Sequence, residues 1–289
     1  MHYLTLDFGG LTVLQKINEL LPNENIIYFG DTARVPYGSK SKETIIKYSR
    51  EIVNFLKDKD VKLIIIACGT ASSLAYDTLI KEFDIPIINV ITPTCKTLKS
   101  NKVGVIATKA TIKSNAWENE IKKYHPETVI YSKACPLFVP IVEEGLAKTK
   151  IADDIIELYL DELKKKEIDS LILGCTHYPI LINKIKDYMG NKIKVININE
   201  NCAKEVKNYL TRKKQLNLAK INSAESKNSI TKSNSNDRSS KDASKTSNVS
   251  SIRSSMVAYV TDDTANFKKN AHVFCNVDFD KVSKVSLDK

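Results

Sequence analysis

Cys68 and Cys175 occupy matching places in the chain. Cys68 follows the apolar run Leu63-Ile64-Ile65-Ile66-Ala67 and precedes Gly69-Thr70. Cys175 follows Leu171-Ile172-Leu173-Gly174 and precedes Thr176-His177. Short apolar runs bounded by turn residues predict buried strands of a parallel sheet. Ligands of open α/β sheets bind at the carboxyl ends of such strands. Two thiols at two strand ends therefore predict a site with one sulfur on each side of a bound molecule. A single free cysteine is most often a small core hydrophobe. The repetition, with His177 and polar turn residues beside it, raises the chemical reading to equal standing with that one.

The elements that must hold these residues alternate along the chain. Leu11, Leu14, Ile17 and Leu21 mark one face of a first helix, and Ile26 to Phe29 read as a strand. A loop from Gly30 to Lys42 leads to a helix carrying Ile45, Ile46, Ile52, Val53 and Leu56. The strand before Cys68, a helix from Ala71 and a strand at 87–91 complete this series. A second series has strands at 103–107 and 128–131, the strand before Cys175, and one at 193–198. Helices are expected at 111–124, 151–165 and 180–189. Alternation of this kind predicts doubly wound α/β architecture. The two Cys segments suggest an internal repeat: two α/β domains with approximate two-fold symmetry and a cleft between them. The expected limits are 1–92 with 200–222 and 256–289 for the first, and 93–199 for the second. Thirteen of the 33 residues from 223 to 255 are serine, and none is aromatic. That composition predicts a disordered insertion. Beyond it, 256–260 reads as a further strand, followed by a short helix near Phe267.

The bulk composition narrows the function classes. Six cysteines at 68, 95, 135, 175, 202 and 275 are widely spaced and never in C-x-x-C pairs. With no export signal, that pattern predicts reduced cytoplasmic thiols rather than a disulfide framework or a structural zinc site. No apolar stretch approaches the roughly 18 residues of a membrane span. The net charge is +10. The lysines are scattered and accompany no nucleic-acid-binding motif, so a basic solvated surface is expected.

Five motifs in one order carry a family resemblance. They are Gly9-Gly10-Leu11-Thr12-Val13-Leu14, Tyr28-Phe29-Gly30-Asp31-Thr32-Ala33-Arg34-Val35-Pro36-Tyr37-Gly38, Ala67-Cys68-Gly69-Thr70-Ala71-Ser72, Cys135-Pro136-Leu137-Phe138-Val139-Pro140 leading to Glu143-Glu144-Gly145, and Leu173-Gly174-Cys175-Thr176-His177-Tyr178-Pro179. Residues 3 to 211, and the chain from Met256, resemble glutamate racemase of the aspartate/glutamate racemase superfamily. The resemblance implies a cofactor-independent and metal-free two-base reaction on L- and D-glutamate, supplying D-glutamate for peptidoglycan. Cys68 would take the α-proton of D-glutamate and Cys175 that of L-glutamate, the opposite thiol donating. A free thiol has a pKa of about 8.5, so neighbours must move its proton. The resemblance assigns that role to Asp7 near Cys68 and to His177 near Cys175, with Glu143 or Glu144 assisting. It places Asp7, Tyr37, Gly38, Gly69, Thr70, Thr176 and His177 around the substrate, and family members often form homodimers.

Two positions depart from the family pattern. The family opens with strand-Asp-Ser-Gly-x-Gly-Gly, whereas this chain reads Leu6-Asp7-Phe8-Gly9-Gly10. It lacks the serine and is two residues shorter. Gly69 stands where the family has asparagine, which removes a side-chain amide and predicts a looser backbone beside Cys68. Losing two hydrogen bonds to a charged group predicts a rate lower by roughly 10²–10⁴. Three readings follow: a glutamate racemase, a racemase-like binding protein with impaired catalysis, and a racemase of aspartate or another amino acid.

Overall fold

The computed structural model describes residues 2–4, 9–217 and 254–287, with the backbone alone for 2–4, 273 and 274. Among the described residues, ten strands lie in two sheets, and every strand pair is parallel. In chain order they are β1 (His2–Leu4), β2 (Ile26–Gly30), β3 (Ile64–Ile66), β4 (Ile87–Asn89), β5 (Lys102–Ala107), β6 (Val129–Ala134), β7 (Ser170–Leu173), β8 (Lys194–Asn197), β9 (Met256–Val260) and β10 (Lys281–Lys284). The first sheet has the order β10-β9-β2-β1-β3-β4 and the second β6-β5-β7-β8.

The same arrangement occurs twice. Counting from the first strand of each sheet, both run 2-1-3-4, with β9 and β10 added at one edge of the first. Cys68 follows the third strand of one series and Cys175 the third strand of the other. The order reverses between the first and third strands, the switch point where doubly wound sheets open a crevice. β3 and β7 are buried along their whole length, which accords with their aliphatic runs Ile64-Ile65-Ile66 and Leu171-Ile172-Leu173. The sequence reading identified both.

Several boundaries differ from expectation, each for a local reason. The expected helix over 111–124 is two helices, Lys109–Lys113 and Ala116–Tyr124, because Asn115 between them adopts a left-handed backbone with φ 54°. The helix after Cys68 begins at Gly69 rather than Ala71 and is interrupted at Ala75. The strand at 87 stops at Asn89, whose Oδ1 accepts hydrogen bonds from the Ile91 and Thr92 N–H groups and turns the chain. The helix near Phe267 runs twelve residues, Thr264–Cys275, with Asp263 capping Ala265 and Asn266. Sequence reading did not identify β10 or the short helices Thr92–Lys96 and Phe138–Glu143. The serine-rich segment 223–255 lies outside the described residues apart from 254 and 255. Among the described residues, no helix is long and apolar enough to cross a membrane.

The helices Gly9–Leu20 and Ile198–Arg212 pack together through Leu11, Leu14, Val206 and Leu210. Their shared apolar cluster reaches Val103, Val105 and Trp117 beside the second sheet, so one continuous core joins the two repeats. Behind β3, a separate cluster of Ile45, Ile52, Val53, Leu56, Ile64 and Ile66 seats the helix Lys42–Lys57.

Candidate active site

A cavity of about 820 Å³ opens between the two strand ends that carry the thiols. Cys68 lies in its wall as the residue preceding the helix Gly69–Leu74, and Cys175 lies in the turn after β7. The two are 4% and 6% exposed, and both border the cavity. Tyr37, Gly38, Gly69, Thr70, Glu143, Glu144, Thr176 and His177 line it as well. Every named candidate among the described residues is thus brought to one place, although the chain separates the extremes by 140 residues. Asp7 and Phe8 lie outside the described residues.

The geometry around Cys175 is specific. His177 Nδ1 lies 3.8 Å from Cys175 Sγ, and its Nε2 lies 3.1 Å from Glu143 Oε1. An ionised carboxylate can only accept, so Glu143 fixes the proton on Nε2. Nδ1 then presents its lone pair to the thiol. This ring is 1% exposed and held within the turn. Both Glu143 and Glu144 border the cavity, and Glu143 makes the bond to His177. Glu143 ends the short helix Phe138–Glu143, positioned from below by the Tyr178 hydroxyl donating to the Cys135 carbonyl at 2.8 Å. The rings of Phe138 and Tyr178 also meet edge to face, 5.1 Å apart. The Cys-Pro-Leu-Phe and Cys-Thr-His-Tyr motifs are therefore two halves of one support.

One sequence expectation needs correction. Gly69 does not loosen the backbone beside Cys68: it sits in the first turn of a helix, and a Cβ there would lie 2.6 Å from the Gly174 carbonyl oxygen. The position is packed against the opposing repeat, with no room for a side chain. Tyr37 borders the cavity, but its hydroxyl is committed to the buried carboxylate of Asp31. Burial and the Asp31 charge push the phenol well above its ordinary range, so it stays protonated. Asp31 is fixed in turn by Arg34 Nε at 2.8 Å and by the Thr261 hydroxyl at 3.1 Å. Tyr37 thus offers the site its ring and backbone rather than its hydroxyl.

The sequence reading missed Ser39, Lys40, Thr108, Lys109 and Lys113, all of which line the cavity. Thr108 follows β5, the strand equivalent to β1, and its hydroxyl meets that of Thr70 at 3.1 Å across the cleft. The signal was the Thr108-x-x-Thr111 pattern directly after an apolar run, a helix start at a switch point. Lys40, Lys109 and Lys113 stand at the mouth with no carboxylate within ion-pair distance among the described residues. The remaining four cysteines lie outside the cavity lining. Burial pushes Cys202 and Cys275 up to about 12, and raises Cys95 and Cys135 further still.

Residues 9–206 match the family model described as Asp/Glu/Hydantoin racemase. The chain belongs to the Asp/Glu/Hydantoin racemase family. It is 48% identical over 206 residues to a glutamate racemase of Aquifex aeolicus (strain VF5), covering 70% of this chain and 80% of that protein. A glutamate racemase of Persephonella marina (strain DSM 14350 / EX-H1) is 53% identical over 182 residues, covering 62% and 70%. Among solved structures, a glutamate racemase from Francisella tularensis subsp. tularensis SCHU S4 in complex with D-glutamate superposes with a TM-score of 0.82. It shares 36% identity and covers 99% of this chain and 97% of that one. The two-repeat α/β fold of this racemase-family chain accords with that likeness.

Proposed function

We propose that the protein is a glutamate racemase that interconverts L- and D-glutamate through two thiols, without a cofactor. The carrying observation is the pair Cys68 and Cys175, on equivalent strand ends of two repeats, facing one cavity. Enantiomers need one base on each face of the α-carbon, and a repeated fold supplies two such positions.

In the L-to-D direction, Cys175 first passes its proton to His177 Nδ1, and the thiolate takes the α-proton of L-glutamate. The C–H electron pair remains on the α-carbon as a planar carbanion. The Cys68 S–H then protonates the opposite face, leaving Cys68 as thiolate. Reversal runs the same steps from Cys68. Glu143 stabilises the imidazolium that His177 becomes, as a carboxylate partner does for a catalytic histidine. Asp7 takes the corresponding role toward Cys68 in this reading. Buried surroundings and placed donors such as Thr70 and Thr176 support the carbanion. The mouth lysines favour a dicarboxylate over a monocarboxylate amino acid by charge complementarity. The two 2-1-3-4 repeats serve as the two domains. The proposal extends to cytoplasmic action, D-glutamate supply for peptidoglycan, and a homodimeric assembly.

The test is α-deuteration and optical rotation of L- and D-glutamate in D₂O. Exchange and racemisation by the parent protein, reduced about 10²-fold or more by Cys68→Ser and by Cys175→Ser, are expected. A folded parent that exchanges no deuterium would overturn the assignment.

A further inference from the structure

The turn that carries Cys175 is held by the opposing repeat through one buried hydroxyl. Thr12, in the helix Gly9–Leu20, lies 2.7 Å from the Thr176 carbonyl oxygen and 2.6 Å from the Gly9 carbonyl oxygen. Asn199 Nδ2 donates to the same Thr12 oxygen at 2.6 Å. All three side chains are almost completely buried, at 6% exposure for Thr12 and 1% for Thr176 and Asn199.

A hydroxyl has one proton, and the Asn199 amide already fills one lone pair of the Thr12 oxygen. Gly9 lies in the first turn of a helix, where its carbonyl has the helical ladder available. Thr176 lies in a turn between β7 and the 3-10 helix Tyr178–Leu181, and Thr12 is the partner of its carbonyl among the described residues. Leaving that buried carbonyl unpaired is the costlier choice. The donor therefore belongs to Thr176. Two glycines allow this close approach: a Cβ on Gly9 would lie 2.5 Å from both Thr176 Oγ1 and His177 Nδ1, and one on Gly69 would strike Gly174.

We propose that Thr12 is a positioning residue for the racemase reaction, oriented by Asn199, that fixes the Cys175–His177 turn at its working distance from the substrate. Thr12 does not touch the reacting atoms. Its effect is carried by the Thr176 carbonyl, one residue from each of the two groups that move the proton. This rests on the glutamate racemase reading.

The experiment compares Thr12→Ser, Thr12→Val and Asn199→Asp with the parent. Steady-state racemisation is measured beside the iodoacetamide labelling rates of Cys175 and Cys68. Serine restores the donor, whereas valine keeps the shape and removes it. Aspartate at 199 offers an acceptor that draws the Thr12 proton away from Thr176. The expected result is kcat lowered about tenfold or more in Thr12→Val and Asn199→Asp, with KM within about threefold, and near-parental kcat in Thr12→Ser. The ratio of Cys175 to Cys68 labelling shifts in the first two variants only. A parental kcat in Thr12→Val, or an equal fall in Thr12→Ser, overturns the proposal. Should Thr12→Val fail to fold, Asn199→Asp decides by the same criteria. If the parent itself does not act on glutamate, the racemase reading fails by that result. The labelling ratio still judges the relay, and an unchanged ratio in all variants would overturn it.

Discussion

Glu143 and Glu144 are neighbours at the cavity wall, yet only Glu143 meets His177. A glutamine at 143 still accepts the Nε2 proton but carries no charge to stabilise an imidazolium. Glu143→Gln should lower kcat by about 10–100-fold, while Glu144→Gln stays within about threefold, read by racemisation rates at saturating glutamate. The six cysteines also divide at this scale. Cys95, Cys135, Cys202 and Cys275 are held protonated by burial, whereas Cys68 and Cys175 border open space. Mass spectrometry after brief iodoacetamide treatment at pH 8 should find label on Cys68 and Cys175 and none on the other four. Label on Cys202 in the folded protein would contradict the packing described here.

At the scale of elements, the helix Gly69–Leu74 and the end of β7 touch without an intervening side chain. Gly69→Ala should force them apart, destabilising the protein by about 1–3 kcal/mol in urea unfolding. Gly174 also packs against the Trp117 indole, whose Nε1 would lie 2.8 Å from a Cβ there. Trp117 is the only tryptophan in the chain, so its emission should shift in Gly69→Ala. An unchanged spectrum and melting point would mean the contact is not made in solution. The sequence made the thiol-bearing strands legible because they are short, aliphatic and abruptly ended. It made the site legible because its motifs keep their order. Gly69 was misread for a physical reason: its neighbour Gly174 is 105 residues away, and no local pattern reports a contact across a cleft. Tyr37 was half legible, since the resemblance placed it at the site but could not show Asp31 occupying its hydroxyl. The two-helix break at Asn115 likewise depends on one backbone torsion, which apolar periodicity does not encode.

At the scale of the molecule, the described residues form a repeat of four strands with an added edge, closed over a core shared by both halves. Buried thiols make its stability sensitive to alkali. The folded thiols of Cys202 and Cys275 titrate near 12, above the ordinary value of 9.0, so the native state holds protons the unfolded state releases. Their contribution is full below about pH 9 and is lost as pH rises toward 12. Urea midpoints should therefore fall between pH 8.5 and about 11, and the fall should be shallower in Cys202→Ala. A midpoint independent of pH across that window would refute the assignment of those thiols to the native core.

The first sheet is assembled from distant parts of the chain. β9 pairs with β2 from Ile26↔Met256 to Gly30↔Val260, and the Tyr28 ring meets Phe267 and Phe279. During synthesis the strands β1 to β4 are complete by residue 89 and β5 to β8 by residue 197. Chain growth at about 5–20 residues per second then leaves several seconds before β9 emerges. Through that interval β2 is an edge strand with open N–H and C=O groups, a template for pairing with another nascent chain. The two thiol-bearing strand ends can form before the sheet beside them is finished. A late event in making this protein is thus the sealing of the edge that brings Thr261 to the Asp31–Tyr37 contact beside the cavity, and its soluble yield should depend on how fast that edge is covered.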